Sequence, residues 1–135
     1  MVLLFGVQLP AWCRRLPALL GRPVQIDEYV LLPDAPRNEW FTIAGLRWAT
    51  HPRNVLRLRG IRTTSGEVLL SLNRYQNGER HGITLGTVPA GSYLRVRLNQ
   101  YRDGHTCLSV YRQGSLLACL WHEAPPSRPA VLLGL

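Results

Sequence analysis

The chain contains no lysine: all sixteen of its basic residues are arginine. A GC-rich coding bias produces that composition, and so does selection for planar, bidentate contacts to phosphate or carboxylate, which an ammonium group makes poorly. Acids are scarce as well, with eight Asp and Glu against the sixteen arginines and a net charge of +8. Such a balance suits an anionic partner, whether nucleic acid, acidic polysaccharide or membrane surface. No recognisable nucleic-acid-binding signature accompanies the charge, so nucleic acid ranks behind a protein or a glycan as the expected partner. Cysteine is limited to Cys13, Cys107 and Cys119, an odd number without metal-type spacing, which excludes a disulfide scaffold. The longest apolar runs, "MVLLFGV" and "AVLLGL", are too short to cross a bilayer as helices. A secretory leader has its basic residues before its apolar stretch, whereas Arg14 and Arg15 follow it, so the N-terminal segment reads as part of the mature fold and a cytoplasmic location is the expectation.

Paired acids are missing from the middle of the chain. Glu67, Glu79 and Asp103 fall in or beside turns, and Asp27 and Glu28 are adjacent in a strand pattern, where neighbours point to opposite faces. The two converging carboxylates of a glycosidase are therefore not assembled. No catalytic, metal or nucleotide motif stands out, and no cofactor is implied.

What is present is β-pattern. At 135 residues and 46% hydrophobic content the chain suits one domain with a sizeable core. Prolines gather before residue 40 and after residue 124. They divide the domain into an N-terminal strand and helical-turn segment (1–22), a β-meander (23–123), and a Pro-rich turn with a terminal strand (124–135). Pro10 and Gly21 bracket one or two short helical turns, which Pro17 interrupts.

Residues 23–32 and 39–49 read as strands, and from residue 55 the turns set the register. Asn77-Gly78 as a two-residue loop places Leu72 opposite Ile83 and Leu70 opposite Leu85. "TSG", "RDG" and "RQG" read as three-residue loops ending at Gly66, Gly104 and Gly114, and "PAGS" as a four-residue connection pairing Leu85 with Val96. Six antiparallel strands follow, at 55–62, 67–76, 80–87, 92–101, 105–111 and 115–122. With the two earlier strands they make an up-and-down meander of about eight, which closure into a barrel would relieve of exposed edges. A two-sheet β-sandwich is the alternative, favoured if the strand holding Trp40 and Trp48 crosses over to cover the aliphatic face.

One face of the meander is aliphatic. The other is rich in Tyr and Arg, the residues of interface hot spots. The contact set expected on it is Tyr93, Arg95, Arg97, Tyr101, Tyr111 and Trp121, serving a non-catalytic module that binds a protein or glycan. A solvated sheet face has a similar composition without any partner. A second expectation is a carrier of a small amphipathic acid, with Arg74, His81, Gln100, Thr106 and His122 at a barrel mouth. The third is an enzyme or metal site built on Cys107 and His105, because the three-residue "RQG" loop sets Cys107 opposite Cys119 and His105 opposite Trp121, and "RDG" sets His105 opposite Tyr101. That group lacks a fourth metal ligand and an orienting acid, although two facing thiols would be a redox-sensitive pair. Self-association is a further open outcome.

Overall fold

The computed structural model describes residues 3–4, 7–8, 23–34, 37–101, 103, 105–123 and 130–134. Its strands are β1 (Leu3–Leu4), β2 (Val7–Gln8), β3 (Gln25–Leu31), β4 (Trp40–Trp48), β5 (Val55–Arg62), β6 (Glu67–Gln76), β7 (Glu79–Pro89), β8 (Tyr93–Gln100), β9 (Thr106–Arg112), β10 (Ser115–His122) and β11 (Ala130–Leu133). The helical turns expected around Pro10 to Gly21 lie outside the described residues. Among the described residues β1 and β2 pair with each other alone. The rest form a four-stranded sheet in the order β10-β9-β8-β3 and a five-stranded sheet in the order β11-β4-β5-β6-β7, with every ladder antiparallel. The terminal "AVLLGL" run supplies the edge strand β11, which pairs with β4.

The architecture is thus a sandwich rather than the expected barrel, and the expected meander breaks at two places: β3 and β4 lie in different sheets, and so do β7 and β8. A turn in which the Ser92 amide and hydroxyl both donate to the Pro89 carbonyl, at 3.2 and 2.6 Å, carries the chain from one sheet to the other, where β8 pairs with β3. Barrel and sandwich bury the same alternate side chains, so the aliphatic pattern is satisfied by either.

The turns explain most of the register. Asn77 and Gly78 have φ of 53° and 84°, the two-residue hairpin that "NG" favours, and Gln76 faces Glu79 across it. Thr63 donates to the Glu67 carbonyl at 2.8 Å around "TSG", and Tyr101 donates to His105 at 2.8 Å around "RDG", as three-residue loops require. "RQG" differs from expectation. Gln113 and Gly114 both have positive φ, 50° and 80°, and form a two-residue turn that pairs Arg112 with Ser115. A bulge at Leu117 then restores the inward phase, so Ala118 faces Val110 while Leu116, expected in the core, is exposed.

A second bulge lies in β7. Leu72 does face Ile83, but Leu70 faces Gly86 rather than Leu85, and Gly86 takes a φ of 92°. The extra residue swaps the faces beyond it, which turns Val88 into the core, while Ile83 and Leu85 on this edge strand are half-buried. Between the sheets the core is aliphatic: Leu56, Leu58, Leu72, Leu94, Leu98 and Leu108 are all fully buried. Each such side chain contributes on the order of 1.5–3 kcal/mol by leaving water.

Candidate functional site

The sandwich divides the single polar face of the meander into two outer faces. All six residues of the expected contact set fall on the four-stranded sheet, carried by β8, β9, β10 and the turn after β8. They do not form one cluster. Tyr93, Arg95 and Tyr111 stand at one end of the face, while Tyr101 and Trp121 stack at the other with ring centroids 5.8 Å apart. Eight residues of extended chain, roughly 26 Å, separate Tyr93 from Tyr101.

The upper cluster includes residues that the sequence reading missed. β3 lies beside β8, so Tyr29 faces Arg95 and Asp27 faces Arg97. Asp27 accepts two hydrogen bonds from Arg95, at 2.8 Å from Nε and 2.7 Å from Nη2, and stands 3.5 Å from Arg97 Nε. The hydrogen bond from Arg95 holds the Asp27 carboxyl below the usual carboxylate range, and Asp27 in turn raises the guanidinium. The Arg95 fork is therefore occupied within the chain. Its plane also lies 5.4 Å from the centre of the Tyr111 ring. Tyr29, Tyr93, Arg95 and Tyr111 line an open cleft of about 410 Å³, with Ser92 and the Gln113-Gly114 turn at its rim. Tyr29 and Tyr93 are 68% and 62% exposed, unusually high for residues with so much apolar ring. Placing β3 beside β8 was the missing signal, since Asp27 and Tyr29 already had the right alternation.

The expected mouth is dispersed. Arg74 faces His81 as the hairpin predicts, and Thr106 faces both Gln100 and His122. His81, however, lies on the five-stranded sheet and Gln100 on the other, so that pairing is lost with the barrel. Arg74 and His81 line a rim cleft of about 430 Å³ with Glu79, Arg80 and Glu123. Gln100, Thr106 and His122 are instead buried between the sheets, where a barrel would have held its ligand. His122 stacks on Trp48 at 4.2 Å and donates from Nε2 to the Tyr75 carbonyl at 3.0 Å, and Arg74 donates to the Trp121 carbonyl at 2.9 Å.

Burial pushes the His122 imidazole below its ordinary pKa, the Tyr75 hydrogen bond opposing, and its other nitrogen has no partner among the described residues. The unfolded chain accepts a proton near pH 6.5 while the folded chain resists it, so stability is fully present above about 6.5 and falls as pH drops below it. The melting temperature should decline from about pH 7 to about pH 5. A His122→Gln variant, which keeps a donor for Tyr75, should flatten the decline; an unchanged slope would assign it elsewhere.

The thiol centre is also rearranged. Because "RQG" is a two-residue turn followed by a bulge, Cys107 faces Trp121 and Cys119 faces Ser109. The cysteines are free and sit diagonally, and burial, followed by a hydrogen bond with Cys119, pushes the Cys107 thiol up to about 11. A thiol so rarely ionised is a poor nucleophile. His105 faces Tyr101 and bonds the Asp103 carboxylate at 2.6 Å. Among the described residues no three His, Cys, Asp or Glu come together as a metal site would need. No helix there is long and apolar enough to cross a membrane. No family model, curated protein or solved structure matches the chain.

Proposed function

We propose that the chain is a non-catalytic binding module that recognises a protein or glycan partner through the outer face of its four-stranded sheet, centred on Tyr29, Tyr93, Arg95 and Tyr111. One observation carries this reading: three tyrosines bound an open cleft, with an arginine locked in place beside them by a carboxylate. Aromatic rings with few rotatable bonds supply contact area at low entropic cost, and a guanidinium already oriented by Asp27 loses little freedom on binding. Tyr101, Trp121 and Arg97 extend the face toward its far end.

The test uses the full chain immobilised against a glycan array and against native extract of its own source. Tyr29→Ala with Tyr93→Ala should weaken retention of whatever binds by about tenfold or more, the effect of removing hot-spot aromatics. Arg95→Gln with Arg97→Gln should also weaken it. Both double variants should melt close to the parent, because exposed rings and exposed ion pairs add little to stability. Retention equal to the parent in both variants would remove the proposal. Glycan spots lost in the variants would identify a sugar, and protein bands lost in them a protein.

A further inference from the structure

The five-stranded sheet has an outer face of its own, and its charges are not balanced. Arg57 and Arg59 of β5 stand opposite Asn73 and Ser71 of β6, and Arg80 of β7 stands opposite Tyr75. Asn73 and Ser71 are buried although they belong to the outward phase, and they make a polar floor. Arg80 Nη2 donates to Asn73 Oδ1 at 3.2 Å. Gly82 faces Asn73 across the ladder, where a Cβ would come within 2.8 Å of that same oxygen, so glycine leaves the floor its room.

Each β5 arginine is carried on an aromatic ring. The Arg59 Cζ lies 4.7 Å from the centre of the Trp40 ring, and the Arg57 Cζ lies 5.4 Å from that of Tyr75. Both arginines are half-buried, with Nε sealed from solvent and without an acceptor among the described residues. Among the described residues no carboxylate pairs with Arg57, Arg59 or Arg80: Asp34 engages Arg62, Asp27 serves Arg95 and Arg97, and Asp103 serves His105. Glu67 shares the outward phase but sits four residues along β6 from Ser71, roughly 13 Å. Glu79 belongs to the opposite phase; it and Glu123 line the rim cleft with Arg74, Arg80 and His81, and neither forms an ion pair with Arg80 among the described residues. Burial first, then the neighbouring charges of Arg57 and Arg80, lower the proton affinity of Arg59.

Three cations gathered over buried polar groups, none of them ion-paired among the described residues, repel one another, and the arrangement is relieved by an anion from outside the chain. The geometry points to a binding site for a phosphate-type tetrahedral oxyanion at Arg57, Arg59 and Arg80. Guanidiniums two residues apart on one strand start roughly 6.7 Å apart, and the third comes from two strands over. A planar carboxylate offers two oxygens in one plane, whereas a phosphoryl group presents three acceptor oxygens to donors converging from several sides. The two rings hold the β5 guanidiniums in place before the anion arrives. Lysine would supply the charge without the fork or the stacking. This site is on the opposite sheet from the tyrosine cleft and does not depend on it.

The experiment is a titration of the full, isotopically labelled chain with inorganic phosphate at constant ionic strength, following the arginine side-chain Nε–Hε resonances by NMR, with chloride as the control. Phosphate should give saturable shifts at Arg57 and Arg59, and chloride none. Arg57→Gln with Arg59→Gln should weaken binding at least tenfold. Arg80→Gln changes an exposed side chain, and should weaken it too while leaving the packing intact. Absence of a saturable shift up to about 10 mM phosphate, or binding undiminished in both variants, overturns the proposal. A nucleoside monophosphate that binds about tenfold tighter than inorganic phosphate would put the group on a nucleotide whose base rests beside Trp40. Equal affinities would make the free anion the ligand.

Discussion

Trp48→Ala is expected to cost about 3–5 kcal/mol, a large part of the stability of a domain this size, and to lower the melting temperature by roughly 10–20 °C. Trp48 is the last residue of β4, is fully buried, and faces Ala130 of β11 in its own sheet. Its ring reaches across to the other sheet and stacks on His122 of β10 at 4.2 Å with 27° between the planes. Removing it opens a cavity at the point where both sheets and the edge strand converge. The indole Nε1 is buried without an acceptor among the described residues, so the stabilisation comes from packing rather than from a hydrogen bond to them. Trp48→Phe separates the two contributions: it keeps most of the ring and deletes the unpaired donor, and should cost less than about 1.5 kcal/mol. Thermal and denaturant unfolding of both variants decides the matter. An alanine variant melting within a degree or two of the parent would mean that this stack does not hold the sheets together.

Most strands were legible because hairpin turns carry their own chemistry. Asn77-Gly78 and Gly66 require the backbone that they adopt, and the strands that they join follow from aliphatic alternation to within a few residues. Two things were hidden. One is the set of bulges at Ile43, Leu85 and Leu117: a single extra residue reverses the faces beyond it, and neither isoleucine nor leucine has a special preference that would announce it. The other is which strands are neighbours: β3 pairs with β8, far along the chain, rather than with β4. Alternation tells which side of a strand is buried and says nothing about its neighbour, so "PAGS" fitted a hairpin as well as it fits the crossing observed.

The candidate site inherits the same limits. Tyr93, Arg95 and Tyr111 were found because they alternate with core residues on consecutive strands, which is local information. Asp27 and Tyr29 arrive from residues far earlier in the chain through the β3-β8 ladder, and they change the meaning of the site by neutralising Arg95. The arginines of β5 shared the phase of those of β8, and only the division into two sheets separates a face holding an acid from one whose arginines lack it.

Gly45 tests how closely β4 and β5 must approach, and Gly45→Val should cost about 3 kcal/mol or more, in the upper range of overpacked sites. Gly45 is buried, faces Arg57 across the ladder, and has an ordinary strand backbone. A Cβ there would lie 2.5 Å from the Leu56 carbonyl oxygen and 2.7 Å from Arg57 Cβ. Those atoms belong to the β5 backbone and its first side-chain carbon, so the strand itself must move. Gly66 offers the contrast: its φ is 85°, and an added Cβ would meet nothing within 4 Å. Gly66→Ala should cost only about 1–2 kcal/mol, from the backbone conformation alone. Denaturant unfolding of the two variants should give the larger loss at Gly45, and equal losses would show that β4 can shift away from β5. Because the obstructing atoms carry Arg57, the smaller change Gly45→Ala should also displace that guanidinium from Tyr75. A phosphate titration of that variant should then show weaker binding at Arg57 even where the fold survives.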